Sequence, residues 1–304
     1  MTIRVGTAGW TDPSLIKSKL FYPKGVTTAE ERLRFYATIF PMVEVDSNYY
    51  ALPSDSNARL WVERTPEDFV WNIKAFRLFT GHQTPVTALP KDVVEELAPH
   101  FEGKRNIYYK DVPETIRDEL WTRYERGVRP LREAGRLAAL HFQFPKWVTP
   151  APNWQRHLEE CVGRLPGYRL AFEFRNRTWY DGKNDHKTIA MERDLRVAHV
   201  VVDEPQTGAS SIPQVWDVGS PELAIVRMHG RNHETWDKKG LKAASDPFDY
   251  DYADDELREI VKPIKKLARE AKEVHVVFNN DREDQGQRNG MSLMNILGKL
   301  AKKP

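Results

Sequence analysis

One cysteine, Cys161, occurs in 304 residues. It has no partner for an internal disulfide, so nothing marks the chain as a secreted, disulfide-stapled protein. Its setting, Trp154-Gln155-Arg156-His157-Leu158-Glu159-Glu160-Cys161, reads as helix, and a buried structural thiol is expected there rather than a reactive one. No apolar run is long enough to span a bilayer, and Met1 leads almost directly into the strand-like Ile3-Arg4-Val5-Gly6, without the pattern of a signal sequence. A cytoplasmic protein with no membrane partner is the expectation. Excess charge of either sign is also missing. Lys and Arg number 46 and Asp and Glu 44, a formal net charge of +2, which gives no general attraction to nucleic acid and leaves only local basic surface to consider. At 40% hydrophobic and 30% charged, the chain has the composition of a folded globular protein rather than a disordered one.

Motifs are missing too. There is no Walker loop, no Gly-x-Gly-x-x-Gly fingerprint and no Gly-x-Ser-x-Gly elbow. There is no His-x-His, His-Glu-x-x-His or Cys-x-x-Cys to hold a metal. No Pro/Gly-rich linker, low-complexity tract or short repeat divides the sequence, so residues 1–304 read as a single domain.

Eight short apolar runs are present, near residues 3–8, 42–47, 69–74, 137–143, 169–174, 197–202, 223–228 and 274–279. Helix-like segments separate most of them, which implies parallel strands joined by right-handed crossovers. The first such helix is announced by overlapping capping boxes, Thr27 with Glu30 and Thr28 with Glu31. In most runs the polar residues share one parity: Glu44, Asp46 and Asn48 alternate with Val43 and Val45, and Glu173 and Arg175 with Phe172 and Phe174. Side chains alternate across a strand. A sheet with helices on both faces would be apolar on both, whereas a closed barrel turns one face inward and makes its upper layer a site. The fold expected is therefore α/β, a TIM (β/α)8 barrel. Two connections are enlarged. Residues 75–136, between the third and fourth strands, hold helices near 91–99 and 113–134 and suggest an extra helical piece over the barrel mouth. Residues 229–254, after the seventh strand, carry Trp236, Phe248, Tyr250 and Tyr252 and read either as a lid or as open surface.

Parity places Glu44, Asp46, Asn48, Asn72, Lys74, His141, Gln143, Glu173, Arg175, Asp203, Arg227, His229 and Asn279 on the inner face, with a β-bulge able to shift any of them by one residue. Glu173 and Arg175 read either as a structural ion pair or as a general acid–base group beside an anion clamp. Lys74 suits anion binding or pairing better than Schiff-base chemistry. Arg227, His229 and Arg231 around Gly230 favour an anionic ligand, because the loop after the seventh strand often holds phosphate in such barrels. Trp10 and Trp179 lie just past strand ends and read as stacking groups or rim packing. Asn279 and Asn280 close the eighth strand as further binding candidates. Glu44, Glu173, Asp203 and His229 are the weak candidates for a divalent metal, but Lys74, Arg175 and Arg227 among them oppose a cation, and no cofactor is expected.

Gly6-Thr7-Ala8-Gly9-Trp10, Phe21-Tyr22-Pro23, Val43 to Tyr50, Phe142-Gln143-Phe144-Pro145, Glu173-Phe174-Arg175, Thr178-Trp179, Arg227 to Arg231 and Phe278-Asn279-Asn280 form one ordered series. Each is weak alone; together they are specific, and they resemble the YecE-like family, domain of unknown function 72. The resemblance spans essentially the whole chain and implies a TIM barrel, but supplies no established activity. The family's structural likeness to endonuclease IV suggests DNA binding, yet the histidine-rich metal cluster of such enzymes has no counterpart here. Family members often carry His where this chain has Asp281.

The leading functional reading is an enzyme acting on a small phosphate-, sugar- or nucleotide-like anion. Glu173, Lys74 and His229 would carry the acid–base chemistry of a lyase, isomerase or hydrolase, and Arg175 and Arg227 would hold the substrate. The alternatives are a protein that binds DNA or RNA, with or without metal-dependent phosphodiesterase activity, and a non-catalytic barrel that binds a metabolite or partner.

Overall fold

The computed structural model describes residues 2–101, 103–207, 211–238, 240–241 and 246–304. Eight strands form one parallel sheet: β1 (Thr2–Thr7), β2 (Met42–Val45), β3 (Val70–Lys74), β4 (Leu137–Phe144), β5 (Leu170–Phe174), β6 (Ala198–Asp203), β7 (Leu223–Met228) and β8 (Glu273–Phe278). The order is β1-β8-β7-β6-β5-β4-β3-β2, so the sheet curls until its first two strands meet as a nearly closed TIM-type barrel.

The seam between β1 and β2 is closed by a side chain. The buried Tyr36 hydroxyl accepts from the Thr7 amide at 2.9 Å and donates to the Met42 carbonyl at 3.1 Å. Thus one phenol replaces a rung of the missing ladder. Gly6 permits the approach: a Cβ there would lie 2.4 Å from the Met42 carbonyl oxygen. Lower on the seam, Arg4 reaches across to the Asp68 carbonyl at 2.9 Å.

Helices pack around the strands. The first turns of the α2 helix, which follows a short α1 (Pro13–Ser18) and spans Ala29–Ala37, are fixed by a capping box of Thr28 and Glu31. Glu31 also accepts from the Thr27 amide. The second expected box, Thr27 with Glu30, does not form; Glu30 pairs instead with Arg34 and Arg64. The long helix Asp254–Glu270 buries Leu257, Ile260, Ile264, Leu267 and Ala268, the one-sided spacing of an amphipathic helix. The enlarged connection after β3 holds helices Lys91–Phe101 and Glu114–Glu133 and a two-residue antiparallel ladder, Thr84–Pro85 with Asn106–Ile107. The second of these helices buries Leu120, Trp121 and Tyr124 in the outer core, where Trp121 stacks on Phe79 with ring centroids 3.7 Å apart.

Inside the barrel, apolar side chains fill one layer: Met42, Ala139, Ala171, Val200, Ile225 and Val277. The charged residues occupy the same face nearer the C-terminal strand ends. Two details of register matter. A bulge at Trp71/Asn72 against Leu137/Ala139 shifts β4 by one residue, yet leaves His141 and Gln143 inward. On β6, Val200 pairs with Ile225 and Asp203 with Met228. This points Ala198, Val200 and Glu204 inward and turns Asp203 outward, contrary to the expectation for Asp203. The run Val200-Val201-Val202 is apolar on both faces and carries no phase information, so parity in β6 was not legible.

Candidate active site at the barrel mouth

The upper interior layer is a cluster of fully buried ionic groups. Glu44, Glu173, Arg227 and His141 are each inaccessible to solvent. Arg227 forks between the two carboxylates, with Nη2 2.7 Å from Glu44 Oε1 and Nη1 3.0 Å from Glu173 Oε2. His141 lies between the same two groups, Nδ1 3.1 Å from Glu44 Oε2 and Nε2 3.1 Å from Glu173 Oε2, although neither contact is in line with a ring N–H. Burial pushes both carboxyls up, but Arg227 and then His141 overcome it and hold both well below the usual carboxylate range. Burial likewise opposes charge on His141, and the two glutamates reverse this and raise it. Two anions and two cations thus compensate one another, as buried charges must.

This changes what Glu173 can do. Its Oε1 also accepts from Gln143 Nε2 at 2.7 Å and approaches His229 Nε2 at 3.3 Å and Arg175 Nη1 at 3.5 Å. A carboxylate so enclosed and so strongly held ionised is a poor proton carrier. The geometry gives it the supporting role, an electrostatic keystone of the barrel interior. His229 is fixed as well. Asn279 Oδ1 accepts from Arg227 at 3.1 Å, so its amide nitrogen must donate to His229 Nδ1, also at 3.1 Å. The ring then carries its proton on Nε2 and points it at Glu173. Burial pushes His229 down to about 3, so it stays neutral, with both nitrogens occupied.

The expected anion site at Arg227–Arg231 is not assembled either. Arg231 is held by Asp203 at 2.7 Å and by Glu256 at 3.3 Å. Asp203 also accepts from Tyr252 Oη at 2.6 Å. This outward pair anchors the loop after β7. Gly230, with φ of 89°, makes room for Tyr250 and not for a ligand: a Cβ would lie 2.6 Å from the Tyr250 Cβ. Asn280 donates to the Tyr250 carbonyl of the same loop and to the Asn289 side chain.

The two tryptophans expected to stack on a ligand are packed away. Trp179 lies over Phe174 with centroids 4.0 Å apart and donates to the Val148 carbonyl. Trp10 packs edge-on against Trp61 and Trp71 in the outer core. Nor do Glu44, Glu173, Asp203 and His229 fit a divalent cation. A guanidinium already sits between the two glutamates, His229 has no free nitrogen, and Asp203 faces away. Among the described residues no group of three acidic, His or Cys side chains is arranged to hold a metal.

The mouth itself is lined by different groups. Lys74 Nζ lies 3.4 Å from Asp46 Oδ2 and 5.3 Å from the Tyr49 ring centroid. Arg175 donates to Glu204 at 2.6 Å, and its guanidinium lies 5.8 Å from the Trp236 ring centroid. Trp236 and Phe248, from the loop after β7, flank the His229 ring at 6.4 and 5.6 Å, so that part of the loop does cover the mouth. At the ends of β2 and β8, Asp46 Oδ1, Asn48 Oδ1 and Asp281 Oδ1 are buried without a hydrogen-bond partner. Burial, reinforced by Asp12 and Asp46 and opposed by Lys74, raises Asp281 to about 7.

Glu204, Trp236, Phe248 and Tyr49 were not among the expected site residues. Glu204 was masked by the phase of β6, and the aromatics lie in loops where periodicity says nothing.

The sequence profile described as "Protein of unknown function DUF72" matches residues 4–304. The chain belongs to the DUF72 family. It is 28% identical over 297 residues to the UPF0759 protein YunF of Bacillus subtilis strain 168, covering 97% of this chain and 94% of that one. A DUF72 family crystal structure from Thermotoga maritima MSB8 superposes with a TM-score of 0.73 at 25% identity, covering 98% of this chain and 99% of that one. One from Enterococcus faecalis V583 superposes with a TM-score of 0.79 at 24% identity, covering 97% and 95%; at that identity the likeness speaks for the fold. These DUF72 relatives carry no stated activity, and among the described residues no helix is long and apolar enough to cross a membrane.

Proposed function

We propose that the barrel mouth is an acid–base enzyme site for a small, hydroxyl-bearing anion of the sugar-phosphate or sugar-acid class. The observation that carries this reading is the set of buried oxygens without a hydrogen bond at the strand ends: Asn48 Oδ1, Asp281 Oδ1 and Asp46 Oδ1, the last with only Arg227 Nη2 at 3.7 Å. Buried polar atoms in a folded protein are almost always satisfied; Asn48 Oδ1 accepts, as do Asp46 and Asp281 while ionised, and protonated Asp281 also donates. They call for a ligand rich in donors, which hydroxyls supply. Lys74 and Arg175, each with a small part of its side chain at the surface, supply the cationic contacts for the anionic end.

Asp281 is the group suited to exchange a proton. The charge of Lys74 acts on it, and its raised affinity for the proton, near 7, matches the requirement for a general acid working close to neutrality. Glu173, Glu44, Arg227 and His141 hold the barrel interior rigid beneath it. The chemistry is that of a lyase, isomerase or hydrolase. The nucleic-acid reading loses support, because Trp10 and Trp179 offer no ring face to a base.

The test is a thermal-shift screen of sugar phosphates and sugar acids, followed by turnover of any stabilising compound. A ligand that binds only the native state raises the melting temperature by mass action. The expected hit shifts wild type, shifts Lys74→Ala much less, and is turned over with a rate that falls as pH rises through about 7 as Asp281 loses its proton. Asp281→Asn should lower kcat by about 10²–10⁴-fold, the usual worth of one positioned acid. A screen with no hit, or turnover unchanged in Asp281→Asn, removes the assignment.

A further inference from the structure

Beside the mouth, and sharing none of the residues assigned to it above, lies a cavity of about 550 Å³. It opens between the segment after β3, the enlarged connection and the helix Pro152–Arg164. A wall separates the two: the Lys74 ammonium lies over Tyr49, Tyr49 meets His82, and His82 meets Trp147, whose indole lines the cavity.

The lining has an unusual balance. Three cations face it, Lys110, Arg117 and Arg156, and among the described residues none of them forms an ion pair. Arg117 lies only over the Tyr109 ring at 5.0 Å, and its Nε is buried with no hydrogen-bond partner. The one lining carboxylate, Glu160, is already taken: it accepts from Tyr109 at 2.6 Å and pairs with Arg164 at 3.4 Å. Asn153, Trp154, Arg156, His157 and Glu160 of the lining all come from the helix Pro152–Arg164, whose first residue is a proline and whose Trp154 and Gln155 amides bond the Ala151 carbonyl, so the side-chain cations, rather than the helix end, supply the positive charge.

Aromatic surface is presented beside the charge. Trp147 is 50% exposed and Tyr108 38%, the reverse of the buried Trp10 and Trp179. Trp147 is not loose: its Nε1 donates to the Gly81 carbonyl at 3.0 Å. Gly81 in turn lies tight against Trp154, where a Cβ would come within 2.8 Å of the ring. A rigid, half-exposed indole beside unpaired guanidinium groups suits a planar ring that carries an anionic group. The volume falls within the range of small-molecule sites.

We infer that this cavity is a second binding site, separate from the barrel mouth, for a nucleoside-monophosphate-type ligand. The ring stacks on Trp147, and the phosphate is held by Arg117 and Arg156 with Lys110 at the edge. The inference is independent of the reading of the mouth.

The experiment is isothermal titration of the whole protein with AMP, adenosine and inorganic phosphate separately. AMP should bind with one-to-one stoichiometry, and adenosine and phosphate each at least about tenfold more weakly, since each lacks one half of the recognition. Trp147→Ala, and separately Arg117→Ala with Arg156→Ala, should each weaken AMP by about tenfold or more, while Arg175→Ala at the mouth leaves it unchanged. Thermal melts establish that each variant is folded, which the exposure of Trp147 and Arg156 favours. The assignment is overturned if AMP shows no saturable heat up to about 5 mM, weaker than such a site should be. It is equally overturned if phosphate alone binds as tightly as AMP, if the cavity variants bind AMP like wild type, or if only Arg175→Ala abolishes binding.

Discussion

At the scale of single residues, the barrel interior shows how a charge can be indispensable without doing chemistry. Glu173 touches Arg227, His141, Gln143, His229 and Arg175, and every one of those contacts suits a permanent anion. Removing that anion leaves Arg227 and His141 sharing Glu44, with Asp46 only at 3.7 Å from Arg227, in a space closed to water. Breaking one partner of a buried ionic cluster costs about 3–5 kcal/mol, far more than loss of an exposed pair. Glu173→Gln is therefore expected to lower the free energy of unfolding by that amount, read from urea denaturation. The same substitution should change the affinity of a mouth ligand little in whatever fraction remains folded. A variant as stable as wild type would mean that the cluster is not the keystone described. Asp281 is the opposite case. It has a partnerless oxygen, a raised proton affinity and a place at the rim, so its loss should fall on turnover.

At the scale of elements, the strands were legible because one face of each is apolar and the other is not. Alternation in Val43-Glu44-Val45 and in Phe172-Glu173-Phe174 fixes both the strand and its phase, and the structure places Glu44 and Glu173 inward, where one guanidinium bridges them. Where a run is apolar on both faces, as at Val200 to Val202, the element was legible and its phase was not. That is why Glu204, and not Asp203, meets Arg175. The tryptophans failed for a different reason. A tryptophan just beyond a strand end reads alike whether its ring turns to solvent or to the outer core, and the neighbours that decide it, Phe174 for Trp179 and Trp61 with Trp71 for Trp10, are brought in by packing. A closed barrel was expected from the strand parity, but how its seam is held was beyond sequence reading, since it rests on Tyr36, a residue of a helix. Tyr36→Phe keeps the ring and removes the hydroxyl, which leaves the Thr7 amide and the Met42 carbonyl buried without their partner. A loss of about 1–3 kcal/mol in unfolding free energy is expected. Faster hydrogen exchange should be confined to β1 and β2, and exchange unchanged at those amides would show that the seam is held by packing alone.

At the scale of the whole molecule, the same groups set how stability depends on pH, and they act in opposite directions. Glu44 and Glu173 are held below their ordinary value of 4.5, and Glu160 and Glu273 are lowered to about 2 by His157 and His275 beside them, against burial in each case. For such groups the unfolded chain binds more protons than the folded one. Their stabilisation is fully present above about pH 4.5 and is lost as pH falls towards the folded values. Asp281 is raised from 3.8 to about 7, so the folded state binds the extra proton. Its contribution is fully present below about pH 4 and is lost as pH rises through about 7. The two trends cross in the mildly acidic range, and the protein should be most stable near pH 5–6, by rough placement from these windows. Urea midpoints taken across about pH 4–8 test this with two variants. Asp281→Asn should reduce the decline on the alkaline side, a gain at pH 8 of at most about 4 kcal/mol from the size of the shift, leaving the part that comes from His157, raised to about 10, and leaving the acid side alone. Glu173→Gln should flatten the acid side while lowering the whole curve. If Asp281→Asn instead destabilises at every pH, its carboxyl is a partner in the fold rather than a group held ready for a substrate. The proposal for the mouth would then lose the residue on which its chemistry rests.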